Sequence, residues 1–333
     1  MRKIPVIICI DVEPDEREIE STTVKNWEGF EGVLKFLGGL RGRLEKATEA
    51  PVSFSWFMRM DPQIEHTYGL PWWVAKRYRE AIAQLERAGD EIGLHVHAWR
   101  WDGDSNRWII DHGDQKWIDH CLRMSFAAYQ TAFGRPCLSF RFGDHWMNNE
   151  TMDSLENLGI KFDLTIEPGM KAKPALVPKE LHTGSLPDYT EAPRQPYRPS
   201  RTDFRKQSCA EERGLWTIPL STARSLSCFP GFKRAASALG IDLQKLGETT
   251  QLNLGLKGSR FSRYMNSLLD RGGESYLAPV VRTDVGVDPV PRAHMEQNME
   301  FILSHPLVKC FKFVRPAEAI ELLTPPAREK LSA

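Results

Sequence analysis

The stretch Val6-Ile7-Ile8-Cys9-Ile10-Asp11-Val12-Glu13-Pro14-Asp15 decides the fold class. Its apolar part does not alternate, as it would in a strand with one wet face, so it reads as a strand covered on both sides. The run Val6 to Ile10 is far shorter than the ~20 residues of a membrane span, and acidic residues follow it at once. It is expected to be a buried strand of a parallel sheet and not an export signal.

Working outward, short apolar runs alternate with longer amphipathic stretches, the pattern of repeated βα units. Strands are expected at Ile4–Ile10, Val52–Met58, Glu91–His97, Leu138–Phe142, Lys161–Ile166, Leu215–Leu220, Ser275–Val281 and Cys310–Val314. Helices are expected over Glu28–Ala47, where Phe30, Val33, Leu34, Leu37 and Leu40 recur at helical spacing, and near Trp72–Ala88, stopped by Gly89. Two more follow, over Lys116–Phe133 and from Asn148 to Gly159. A single barrel over residues 1–325 fits this order, leaving 326–333 as a tail. Seven prolines between Pro168 and Pro199 interrupt any regular pattern, so 168–213 reads as an insertion near the barrel mouth. It would form a wall or lid, or alternatively an oligomer contact.

Composition narrows the function. Lys+Arg and Asp+Glu are both 44, so no broad basic face for nucleic acid or an anionic membrane is expected. The six cysteines (Cys9, Cys121, Cys137, Cys209, Cys228, Cys310) form no CxxC pair and read as reduced, structural thiols of a cytoplasmic protein.

The strand ends carry the chemistry. In an extended chain Asp11 and Glu13 project to the same side, and two carboxylates so close are costly without a cation to share. A solvated acidic loop is the bland alternative, since Asp15, Glu16 and Glu18 continue the run. In Glu91-Ile92-Gly93-Leu94-His95-Val96-His97 the two histidines again share one face, with the same spacing. Two imidazoles and a carboxylate form a ligand set for a divalent metal, zinc first, that leaves a position open for water. At the end of the fourth strand Arg141 can pair bidentately with a carboxylate and hold it ionised, or simply form a structural salt bridge.

Taken together, Asp11-Val12-Glu13, Glu91-Ile92-Gly93-Leu94-His95, Phe140-Arg141, Asn148-Asn149-Glu150-Thr151-Met152 and Leu158-Gly159-Ile160 resemble the polysaccharide deacetylase family, carbohydrate esterase family 4 and its cyclic-amide-cleaving relatives. They follow the family's order over about the first half of the chain. The resemblance implies a distorted (β/α)7 barrel and metal-dependent hydrolysis of C–N amide bonds. It also implies Asp11 as catalytic base, Glu13 as the metal-binding acid, His95 as the first metal histidine and Arg141 as the arginine orienting the base. Two departures stand out. Trp99 occupies the place of the family's second histidine, which leaves that part to His97. The late-strand histidine that protonates the leaving group has no counterpart in Tyr276 to Gly286, where Arg282 and Asp284 stand instead. Asp144 and His145 are the candidates for that acid.

Trp72, Trp73, Trp99, Trp101, Trp108 and Trp117 crowd one part of the chain. Trp99 and Trp101, directly after the histidine strand, are expected to line a cleft as sugar platforms, while Trp117 reads as a helix core residue. Arg59 and Asp61, beyond the second strand, and Arg282 and Asp284 are expected to contact substrate by position. The expected function is N-deacetylation of a sugar or surface-polysaccharide precursor made inside the cell. A catalytically silent sugar-binding barrel is the alternative. A glycosidase using Asp11 and Glu13 fails on geometry, because neighbours on one strand face cannot flank a bond.

Overall fold

The computed structural model describes residues 3–16, 26–174, 182–208, 213–225, 248–270 and 275–324. Its central sheet has seven strands, β1 (Cys9–Val12), β2 (Ser55–Arg59), β3 (Glu91–Val96), β4 (Ser139–Phe142), β5 (Phe162–Asp163), β6 (Trp216–Thr217) and β7 (Val280–Arg282). They lie in the order β6-β5-β4-β3-β2-β1-β7, and every pairing is parallel. The sheet curls until its ends meet: just beyond β6, Ser221 N donates to Ala278 O at 3.1 Å, and Leu252 N donates to Ser221 O at 2.7 Å. This is the expected distorted (β/α)7-type barrel.

Alternation along the strands sorts side chains into two apolar layers. Ile8, Ile10 and Val12 point outward into a large core shared with the helices. Ile7, Cys9, Phe57, Leu164 and Val280 fill the barrel interior as a dry floor. Asp11, on the same face as Ile7 and Cys9 but nearer the strand's C-terminal end, therefore emerges just above that floor. Gly93 lies beneath the site because a Cβ there would stand 2.8 Å from the Phe57 ring and 2.7 Å from Ser139 O.

The helices cover the outer layer: α1 (Glu28–Thr48), α2 (Pro62–Tyr68), α3 (Trp73–Arg77), α4 (Arg79–Arg87), α5 (Gln115–Phe133) and α6 (Asn149–Asn157). In α1 the buried face is Phe30, Val33, Leu37, Leu40 and Leu44; each contributes about 2 kcal/mol by leaving water. Asn148 caps α6 by accepting from Thr151 N at 2.7 Å, as its place in the sequence predicts.

Several elements differ from expectation. Ile4–Ile10 is two strands, because Ile4–Val6 pairs with Phe311–Phe313 while Cys9–Val12 pairs with β2 and β7. The expected helix over Trp72–Ala88 breaks at Tyr78 into α3 and α4. A hairpin, Trp99–Asp102 with Arg107–Asp111, follows β3 directly. In the insertion, Tyr197 pairs antiparallel with Thr217 on the edge strand β6, and the Tyr189 hydroxyl donates to His145 O at 2.8 Å. Cys209, Cys228 and the tail from 326 lie outside the described residues.

Candidate metal and catalytic site

Register brings the site together. Asp11 on β1 is level with Arg282 on β7, and Arg59, His95 and Arg141 form a continuous row across β2, β3 and β4. Paired residues of parallel strands face the same way, so these side chains point to the barrel's mouth. Glu13 and His97 each lie two residues beyond a member of this set. The resulting cavity, about 160 Å³, is lined by Asp11, Glu13, His95, His97, Arg141 and His145 together with Gly143, Asp144, Gln251, Asn253, Val280 and Arg282.

At its base three acceptor atoms converge. His95 Nε2 and His97 Nε2 are 3.0 Å apart, and each faces Glu13 Oε1, at 3.3 and 3.6 Å. The tautomers follow from the other ring nitrogens: His95 Nδ1 lies 2.9 Å from the Arg141 carbonyl and His97 Nδ1 2.9 Å from Asp144 Oδ2, both acceptors. Each Nδ1 therefore carries the proton, and each Nε2 presents a lone pair. Three lone pairs in one spot repel unless a cation lies between them. Bonds of about 2.0–2.1 Å in a tetrahedral zinc site give edges of about 3.3 Å, and the three observed separations straddle that value. Glu13, His95 and His97 thus fit a divalent metal, and their ligating atoms form such a cluster.

The charges agree with this. Burial pushes the Glu13 carboxyl up, while the Arg282 charge is the largest influence drawing it down, and it stands well below the usual carboxylate range. Burial, reinforced by the Arg59 charge, keeps His97 far below the usual imidazole value, hence neutral and free to ligate. Glu13 Oε2 has no hydrogen-bond partner among the described residues.

Around the ligands lies a shell of buried supports. Asp61 caps α2 by accepting from Gln63 N and Ile64 N, and also accepts from His97 N at 3.1 Å and Arg59 Nε at 2.7 Å. Arg59 in turn hydrogen-bonds Gln63 and stands 3.7 Å from Glu13 Oε2. Asp144 Oδ2 accepts from both His97 Nδ1 and Trp99 Nε1. Gly143 is required by closeness: a Cβ there would stand 2.3–2.5 Å from the His97 ring.

Beside the ligands, Arg141 Nε donates to both oxygens of Asp11, at 2.7 and 3.0 Å, and Arg141 Nη1 to Leu164 O at 3.0 Å. The base candidate is thereby fixed in orientation. Beneath them burial pushes the Cys9 thiol up to about 12, so it is inert.

The structure relocates several sequence expectations. Arg59 and Asp61 are fully buried and so hold the histidine strand instead of touching substrate. Trp99 is 2% exposed and acts as a hydrogen-bond donor to Asp144, not as a cleft wall. Trp101 stacks on His66 with centroids 5.5 Å apart and does not line the cavity. Arg282 does line it, with Asp284 paired to it at 2.5 Å. Both acid candidates also line the cavity. Trp117 is partly buried on α5, its indole N–H donating to Ala98 O. No described residue of the proline-rich insertion lines the cavity. Sequence reasoning missed Glu167, whose Oε1 lies 2.6 Å from His145 Nδ1, although it too is a strand-end carboxylate. It also missed Gln251 and Asn253.

No protein-family model matches the chain, and no curated protein matches it significantly. Solved structures do. A glycoside hydrolase/deacetylase candidate from Parabacteroides distasonis superposes with a TM-score of 0.54 at 13% identity, over 98% of this chain and 72% of that one. A probable polysaccharide deacetylase from Pseudomonas aeruginosa PAO1 gives 0.52 at 15%, over 96% and 90%. PuuE allantoinase gives 0.51 at 15%, over 97% and 92%. What these likenesses establish is the fold: the chain is a divergent distorted (β/α)7 barrel of the polysaccharide-deacetylase type.

Proposed function

We propose that this protein is a metal-dependent hydrolase of C–N amide bonds that removes an acyl group, acetyl first, from the nitrogen of a sugar or glycan precursor. The observation that carries the reading is the convergence of Glu13, His95 and His97 beside the Asp11–Arg141 pair. Glu13, His95 and His97 would hold the ion, zinc first, and a bound divalent ion supplies Lewis acidity toward a carbonyl and acidifies water near neutral pH. Asp11, oriented by Arg141, takes the proton of the attacking water. Arg282, at the cavity wall, offsets negative charge gathering there. The cavity is small beside ordinary ligand pockets of roughly 300–1,000 Å³, which suits an acylamino group with the rest of the substrate outside. Buried free thiols at Cys9, Cys121 and Cys137 support work in a reducing compartment such as the cytoplasm. Among the described residues no helix is long and apolar enough to cross a membrane.

The test is acetate release from N-acetylglucosamine oligomers and nucleotide-linked N-acetyl sugars by zinc-loaded protein, beside Asp11→Asn. Turnover lost in the variant with zinc retained supports the reading. Sugar binding without turnover in the wild type replaces it with a silent glycan-binding barrel.

A further inference from the structure

Resting on the hydrolase reading of the same site, we propose that His145 is the proton donor to the departing nitrogen and that Glu167 is the residue that positions it. His145 lines the cavity with its side chain 18% exposed, while Glu167 is fully buried behind it, with Oε1 2.6 Å from His145 Nδ1. Burial pushes the Glu167 carboxyl up, but the His145 charge beside it outweighs that and holds it below its ordinary value. The two meet at ion-pair distance without the alignment of a hydrogen bond, and the negative charge behind Nδ1 favours the proton there and leaves Nε2 as the ring's working nitrogen. The other candidate is already engaged: Asp144 Oδ2 accepts from His97 and Trp99, which gives that carboxyl the work of holding the histidine.

The backbone supports the same division. Asp144 and His145 have φ of 54° and 59°, two adjacent left-handed residues that are not glycine. Such strain costs about 1–2 kcal/mol per residue and persists where surroundings impose it; here the Tyr189 hydroxyl pins His145 O at 2.8 Å. One turn thus sends Asp144 to the histidine ligand and His145 to the cavity.

The step balances as follows. Water oxygen bonds to the acyl carbon and Asp11 takes one water proton. The C–N bond breaks with its electron pair on nitrogen, and the His145 Nε2 proton goes to that nitrogen. Proton return from Asp11 through solvent recharges His145. The charged groups around the site include Glu167 and Lys173 after β5, Arg141 from β4, Asp11 from β1 with Glu13 just beyond it, Arg282 from β7 and Asp144 in the same turn.

The test compares zinc-loaded wild type, His145→Asn, which tolerates the left-handed backbone, and Glu167→Gln on two probes. These are an N-acetylglucosamine oligomer, whose amine needs a proton to leave, and 4-nitrophenyl acetate, whose phenolate does not. The oligomer rate is expected to fall ~100-fold or more in His145→Asn and in the same sense, less deeply, in Glu167→Gln. Ester hydrolysis should stay within about fivefold. Zinc stoichiometry should be unchanged, and in histidine-labelled metal-free protein the imidazole nitrogen signals lost in His145→Asn should shift in Glu167→Gln. Equal loss on both probes, no loss on the oligomer, or loss of zinc overturns the assignment. A wild type that binds zinc yet hydrolyses neither probe overturns the hydrolase reading itself, and the assignment with it.

Discussion

His97 Nδ1 lies 2.9 Å from Asp144 Oδ2, and the same oxygen accepts the Trp99 indole N–H at 2.8 Å. Trp99, two residues beyond His97 on the same stretch of chain, thus anchors the carboxylate that orients His97. Asp144→Asn keeps an acceptor and a residue tolerant of the left-handed backbone, but removes the charge. Carboxylate partners of ligating histidines typically contribute 10–100-fold in metal affinity. Zinc affinity of Asp144→Asn, measured by chelator competition, should fall by about that factor with the circular dichroism spectrum unchanged; affinity equal to wild type would remove Asp144 from the site.

Gly143→Ala places a methyl group 2.3–2.5 Å from His97 ring atoms, and the ring must move. Zinc uptake should drop ~10-fold or more, although no ligand has been changed. Uptake at the wild-type level would show that His97 has room to shift without leaving the metal.

Removing Arg59 leaves the fully buried Asp61 without its charge partner and takes the nearest cation from Glu13 Oε2. Breaking such a buried pair from one side costs about 3–5 kcal/mol, so Arg59→Met should lose that much in urea unfolding. A loss below about 1 kcal/mol, the size of an exposed pair, would mean that the charge is not structurally needed.

Asp163 gives a pH signature of its own. Burial raises its pKa to about 7, with Thr165 hydrogen bonds and the Arg141 charge opposing. Its folded value lies above its unfolded one, so the native state binds the proton more tightly and is penalised as pH rises from 4 to 7. Asp163→Asn escapes the penalty. Its stability relative to wild type should therefore increase by about 2 kcal/mol between pH 5 and pH 8, read from urea midpoints at both. A pH-independent difference would contradict this assignment.

Much of this architecture is legible in the sequence, because a strand entering a barrel mouth must change from apolar to polar while keeping its period of two. Ile7, Cys9, Asp11 and Glu13 show that change on one face, and His95 with His97 repeat it. The supports are harder to read. Asp61-Pro62 is a helix start, an N-cap followed by proline, and reading it so would have shown that Arg59 and Asp61 are buried under α2. Trp99 reads as a platform because an indole's hydrogen bond has no signature in spacing. Gln251 and Asn253 reach the cavity through backbone pairing of Leu252 with Ser221 and of Asn253 with Val280, contacts across the barrel seam that no local pattern encodes.

Zinc titration of metal-free protein by calorimetry, beside His97→Ala, tests the central claim that three neutral or anionic acceptors converge to hold a cation. One equivalent per chain is expected in the wild type, with affinity reduced ~100-fold or more in the variant because the remaining pair cannot close the site. No uptake by the wild type, or uptake indifferent to His97, would contradict the account.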